Sequence, residues 1–312
     1  MKFIKRDKIF EWVTPNKWWN SHTMAPSAIY WKGKIRIFIG AWDENNISRI
    51  TYIDLDPKDP TKILNIKDDS PVLDVGEKGM FDDNGVFPAH ASVIDGKIYL
   101  YYTGFQNGDK VPHYNFGGLA VSEDGENYTR MSKAPILDRQ DEGLLVRAGQ
   151  SVIKEGNVFR STYSIGSQFI VVGGKERPTY DVCYQESTNP VDFKKSGKKI
   201  VKSDHSVEHG LGRPQIIKIR DLYYTFYTRR MIDMKYFLGC AVSEDCITWE
   251  RDEDVFSEIS HSRNDFDSEM IYFPSVVYIP ETDKYLLFYC GNEFGRNGFG
   301  FAELEERKFG DN

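Results

Sequence analysis

Nowhere in this 312-residue chain is there an apolar run long enough to cross a bilayer, and its opening, MKFIKRDKIFEWVTP, interleaves charges with apolar residues. Neither a membrane span nor a secretory signal is expected, and no membrane partner. Cysteine is scarce. Cys183, Cys240, Cys246 and Cys290 lie in or beside strand-like runs with no CxxC pair, so they read as reduced core residues rather than a disulfide framework or zinc site. Together these absences place the protein in the cytoplasm. Positive charge is also short, with 40 Lys and Arg against 47 Asp and Glu and a net charge of −7. Nucleic acid is therefore not an expected partner, because that binding rests on a basic surface. Helical periodicity is rare and no linker or low-complexity segment interrupts the chain, so residues 1–312 are expected to form one all-β domain.

What is abundant is aromatic. Twenty Phe, 18 Tyr and 6 Trp fit many strands packing face to face. A strand opening recurs at Pro26-Ser27, Ala89-His90, Gly149-Gln150, Pro214-Gln215 and Pro274-Ser275, at intervals of 60 to 65 residues. Each opening leads through apolar residues and a turn into an aromatic-rich second strand: 34–42, 97–105, 157–166, 221–230 and 284–293. Third strands are expected at 50–60, 119–130, 180–193 and 240–251. The interval holds a four-stranded antiparallel sheet, and five such units predict a five-bladed β-propeller. The last unit runs out after 298–306. The strand-like 2–12 supplies its outer strand in this reading, so the N-terminal strand closes the ring in the last blade.

In a propeller the first strand of each blade lines the axis, so residues near the five openings converge. Aligned on those openings, carboxylates recur six or seven positions upstream in four units, at Asp82, Asp83, Glu142, Glu208 and Asp267, with Glu269 close behind. Arg147 and Arg213 fall just before openings and His90 just after. Arg229 and Arg230 end the second strand of the fourth unit, where the fifth has Asn292 and the first Trp42, and His209 lies nearby. Gln150 and Gln215 belong to a polar set with Ser27, His90 and Ser275, which suits a water-filled axial channel as well as a ligand. A charged Arg213 entering an inner strand needs a carboxylate partner or a ligand. The remaining histidines, His22, His113, His205 and His261, have no ligand spacing, and neither metal nor cofactor is expected. Carboxylates, guanidinium groups and aromatic faces in one concave site suit a small saccharide or oligosaccharide.

The hairpin DGKIYLYYTG, the third strand AVSEDG and the acidic segments GMFDDNGVFP and FDSEMIYFP resemble the five-bladed propeller glycosidases of glycoside hydrolase families 32, 43 and 130, and the glycosidase-like proteins associated with polysaccharide biosynthesis. The resemblance covers essentially the whole chain. It implies glycosidic chemistry in the axial pocket, which needs a proton donor and a second carboxylate. Asp82 or Asp83, Glu208 and Asp267 are the candidates for those roles, with His90, Arg213, Arg230 and Asn292 holding the substrate. In families 32 and 43 an Asp stands at the start of an inner strand. Here Ala25, Pro88, Ala148, Arg213 and Phe273 precede the openings, and none is acidic. Three readings stay open: a glycoside hydrolase or glycosyl-transferring enzyme; a phosphorylase or enzyme acting on an anionic sugar; and a non-catalytic sugar-binding propeller.

Overall fold

The computed structural model describes residues 1–193 and 195–305. Strand β1 (Lys2–Phe10) comes first, followed by a four-stranded antiparallel sheet of β2 (Ser21–Trp31), β3 (Lys34–Trp42), β4 (Ser48–Leu55) and β5 (Ile63–Ile66). An eight-stranded sheet holds two such meanders. The first is β6 (Val86–Ile94), β7 (Lys97–Asn107), β8 (His113–Ser122) and the short β9 (Thr129–Arg130). The second is β10 (Val146–Glu155), β11 (Val158–Gly166), β14 (Asp181–Ser187) and β15 (Lys198–Val201). A separate hairpin, β12 (Phe169–Val172) and β13 (Lys175–Pro178), is inserted between β11 and β14. The two meanders join through a short parallel pairing of β8 with β10.

A further sheet orders β16 (Glu208–Ile219), β17 (Leu222–Met231), β18 (Tyr236–Ser243) and β19 (Glu250–Arg251). The last combines β20 (Tyr272–Ile279), β21 (Lys284–Cys290) and β22 (Phe299–Glu305) with β1, which pairs antiparallel to β22 from Lys2↔Glu305 to Phe10↔Phe299. Expected residue 306 and the tail beyond it lie outside the described residues. Among those described, no helix is long and apolar enough to cross a membrane.

Alternating apolar residues give each sheet two faces that pack on its neighbours. Ile37 and Ile39 of β3 share one cluster with Phe288 and Phe301, while Phe38 on the opposite face joins Leu100 and Tyr102 of β7. The first strands contact one another in the order β2, β6, β10, β16, β20 and back to β2.

The polar set beside the openings turns out to be hydrogen-bonding hardware between these strands. Ser27 Oγ accepts from Ala91 N at 2.8 Å, His90 Nδ1 from Val152 N at 3.3 Å, and Ser151 Oγ from Ile216 N at 3.1 Å. Gln215 Oε1 accepts from Val276 N at 2.5 Å, and Ser275 Oγ from Ala28 N at 2.9 Å, returning to the strand where the series began. The third unit carries a correction. Ser151, not Gln150, makes its bond, and Gln150 takes the place that Pro26, Pro214 and Pro274 hold elsewhere. Gly149 is the left-handed residue (φ 64°) equivalent to Ala25, Arg213 and Phe273, whose φ values are 55°, 48° and 57°.

All five first strands bulge at this level, in four of them through a left-handed residue. A bulge bends the strand and re-aims a side chain. Second-strand hydroxyls hold three of the left-handed backbones: Thr103 accepts from Gly149 N, Ser164 from Arg213 N and Thr228 from Phe273 N. Cys290 faces the amide of Ala25 in the same way. In the remaining unit Pro88 has no N–H to offer and Gly40 no side chain to receive it.

Candidate functional site

A cavity of about 290 Å³ opens at the N-terminal ends of the first strands, above the bulges. Its wall mixes aromatic faces (Trp42, Phe87, Phe105, Tyr180, Phe273, Phe294) with small polar groups (Ser48, Asn84, Asn115, Ser164) and two guanidinium groups, Arg213 and Arg230. Among the described residues, no carboxylate lines it.

Arg213 forms the floor. Its Nε donates to Pro88 O at 3.1 Å, Nη1 to Phe273 O at 3.1 Å and Pro274 O at 3.3 Å, and Nη2 to Pro26 O at 2.7 Å. The expected carboxylate partner is replaced by backbone carbonyls from three other first strands. Burial pulls its pKa down to about 9, which still leaves it a cation at neutral pH. The same burial, with Arg213 adding to it, holds the His90 imidazole down at about 3. A neutral ring is what an Nδ1 acceptor requires.

Arg230 is the second cation. Its guanidinium carbon lies 4.7 Å from the Tyr180 ring and 5.7 Å from that of Tyr236, and its Nε is buried with no partner. Gly212 lies against it, and a Cβ there would stand in ordinary contact 3.4 Å from that Nε. Neither Arg230 nor neighbouring Arg177 has a carboxylate partner among the described residues, and Arg177 Nε is likewise buried and unpaired. Burial, then Arg230, lowers His113 and His209 to about 4. His209 Nδ1 faces Pro178 O at 3.5 Å; a carbonyl only accepts, so Nε2 is left as an unpaired acceptor.

Near the first unit, Trp42 stacks on His22 at 4.0 Å and on Phe294 at 6.4 Å, and Phe294 meets Tyr272 edge-on at 5.7 Å. Trp42 Nε1, Ser48 Oγ and Asn115 Oδ1 are buried without partners. Glu293 and Phe294 both adopt left-handed backbone, with φ 49° and 58°. Strain of this kind in two successive non-glycine residues is sustained only where surrounding structure enforces it, and it gathers at ligand sites.

The carboxylates aligned on the repeat share a different environment. Asp82 is fully buried, accepting from Tyr102 Oη at 3.1 Å and Arg130 Nε at 2.9 Å. Asp267 is fully buried against Tyr289 Oη at 3.1 Å and Lys5 Nζ at 2.5 Å. Glu142 accepts from Tyr163 Oη at 2.7 Å and pairs with Arg147 Nε at 2.9 Å. Glu208 binds Arg229 Nε at 2.8 Å and Arg251 Nη1 at 2.7 Å. Burial raises the Glu208 carboxyl, but Arg251 and Arg229 outweigh it and hold it below the ordinary range. These acids, with Arg147 and Arg229, tie strands together beside the cavity rather than within its wall.

The remaining candidates divide in the same way. Trp42, Arg213 and Arg230 line the cavity. Asp83 is half-buried, accepting from Gly79 N and Gln106 Nε2, and precedes the lining residue Asn84. Asn292 Oδ1 accepts from the amides of Glu269 and Met270, anchoring the loop, while Glu269 itself is exposed. Gln150 Nε2 donates to Ser161, and Gln215 is spent on Val276. His90 belongs to the inter-strand series. Sequence reasoning missed Phe294, Tyr180, His113 and Asn115. The last two were hidden because β8 begins at His113, six residues before the expected third strand.

The fold is that of propeller-type glycoside hydrolases. It matches the crystal structure of a glycosyl hydrolase from Bacteroides ovatus with a TM-score of 0.71 at 14% identity, over 98% of this chain and 94% of that one. A structure described as showing that the family 130 mannoside phosphorylases contain glycoside hydrolases targeting beta-1,2 mannosidic linkages in Candida mannan matches at 0.69 and 14%, over 98% and 94%. In sequence, the chain belongs to the family of "Uncharacterized protein Rv1502" of Mycobacterium tuberculosis (strain ATCC 25618 / H37Rv), being 30% identical over 309 residues, 98% of this chain and 100% of that protein. It is also 25% identical over 136 residues to the 1,2-beta-oligomannan phosphorylase of Thermoanaerobacter sp. (strain X514), covering 41% of this chain and 43% of that protein. No family profile matches.

Proposed function

We propose that residues 1–312 form a single five-bladed propeller, tied shut by β1, whose cavity binds a saccharide carrying an anionic group. The cyclic contacts of the five first strands and the β1–β22 pairing support the architecture. The carrying observation for the ligand is that Arg213 and Arg230 face a cavity with no acidic lining residue among those described. Arg213 has committed four of its five N–H donors to carbonyls and supplies mainly charge; Arg230 keeps an unused N–H and a planar fork suited to carboxylate or phosphate oxygens. The aromatic walls suit the C–H face of a sugar, and the orphaned atoms of Trp42, Ser48 and Asn115 suit its hydroxyls.

Two-carboxylate hydrolysis is the less favoured chemistry for this arrangement. It needs two acids flanking the bond, and Asp82, Glu208 and Asp267 are already held in ion pairs. Phosphate-dependent cleavage is a second reading, favoured by the partial likeness to an oligomannan phosphorylase and by the uncompensated guanidinium charge. Asp83, beside the cavity, is its proposed proton donor. Incubation with β-1,2-mannobiose tests this: phosphate-dependent release of mannose 1-phosphate supports it, and no turnover with phosphate leaves binding as the function.

A further inference from the structure

The β12–β13 hairpin is an insertion with an apolar outer face. The second-to-third-strand connections 43–47, 108–112 and 232–235 are short, whereas 167–180 carries two strands of its own. On β12, Val172 is buried, while Phe169 and Val171 on the alternate face are 39% and 70% exposed. An outward strand face is ordinarily polar. Val171, Ile170 and Val172 line a surface groove with His205 and Ile232, and Ile232 N donates to Val207 O, which brings exposed Val207 alongside.

The groove and the cavity both border the hairpin segment 167–180 and the end of β17. Tyr180, at the end of the hairpin segment, lines the cavity, and Arg230 lies two residues before Ile232. Between them stands Arg177, paired with Ile170 across the hairpin, its Nε buried and unpartnered. The surface thus presents a polar and aromatic cavity, two guanidinium groups each with an unpartnered Nε, and an apolar groove.

We propose that the ligand is an anionic amphiphile, a saccharide joined through a phosphodiester to an apolar chain. The sugar occupies the cavity, Arg230 and Arg177 take the phosphate, and the chain lies along β12 and Ile232. Charge complementarity and the shared borders favour the ligand's own chain as the occupant of the groove, since contiguous exposed apolar surface marks a binding face. The proposal rests on the anionic-saccharide reading of the cavity.

Calorimetry on the full chain tests it with two probes below micelle concentration, mannose 1-phosphate and its dodecyl phosphodiester. The expected result is at least tenfold tighter binding of the dodecyl probe, with the gain lost in V171S/I232S and mannose 1-phosphate affinity unchanged. Equal affinities for the two probes overturn the chain site and leave the anionic cavity standing. Binding of neither overturns the cavity reading itself. A wild-type dimer that V171S/I232S converts to monomer, with no gain from the chain, assigns the groove to a second copy and overturns the proposal.

Discussion

Arg213 Nη2 lies 2.7 Å from the carbonyl oxygen of Pro26, across 187 residues of sequence. With the three other carbonyl bonds of the same guanidinium, this contact ties β16 to β2, β6 and β20. A buried cation is normally matched by a carboxylate; here it is solvated by peptide dipoles made available where the strands bulge.

Arg213→Met is therefore expected to destabilise the fold by about 2–4 kcal/mol, because it orphans several buried carbonyls at once. The denaturation midpoint in urea reports this. Arg213→Lys, with one compact ammonium in place of a fork, is expected to recover only part of the loss.

The aligned carboxylates are expected to act on stability first. Asp82→Asn, Glu208→Gln and Asp267→Asn each leave a cation without its buried partner, and each should cost about 3–5 kcal/mol if the site stays dry. Asp83→Asn should change stability by less than about 1 kcal/mol, because its hydrogen bonds are at a half-exposed loop. Thermal unfolding of the four variants separates the two groups, and an Asp82→Asn variant as stable as the parent would contradict the assignment.

Acid should weaken the fold through buried imidazoles. His22, His113 and His209 titrate near 4 and His90 near 3, against 6.5 when unfolded. Because the unfolded chain binds more protons, stability is full above pH 6.5 and falls as the pH drops toward 4 and 3. His90→Gln keeps an acceptor of the kind Gln215 supplies and removes one titrating group. Its stability-against-pH slope between pH 6 and 4 is expected to be shallower by about one proton.

At the cavity rim, Glu293→Gly should relieve left-handed strain and stabilise the protein by about 1 kcal/mol. Phe294→Ala should weaken saccharide binding by about 0.5–1.5 kcal/mol through lost ring contact. Calorimetry with a sugar phosphate reads the second effect and thermal unfolding the first.

Much of this architecture is legible in the chain. The second strand expected at 34–42 is β3 itself, and the run at 2–12 contains β1, because alternating apolar and aromatic residues between turns have few other outcomes. The register of the third unit is not legible, since Gln150 and Ser151 are both polar and only the positive φ of Gly149 and the inter-strand bond of Ser151 tell them apart. The hairpin 169–178 lacks a counterpart in the other units, so repeat alignment passes over it. For the site, the recurrence of Asp82, Glu142, Glu208 and Asp267 marks a shared structural device. A repeat reports what the units have in common, whereas Arg230 and Phe294 face the cavity as features of single units.

The proposed cavity ligand is a sugar recognised through its negative charge. Titration of the protein and of Arg230→Met with mannose 1-phosphate and with mannose tests it most directly. Wild type is expected to bind the phosphate at least tenfold more tightly than mannose, and Arg230→Met to lose that preference while remaining folded. Equal affinity for the two sugars in the wild-type protein, or an undiminished preference in Arg230→Met, would contradict it.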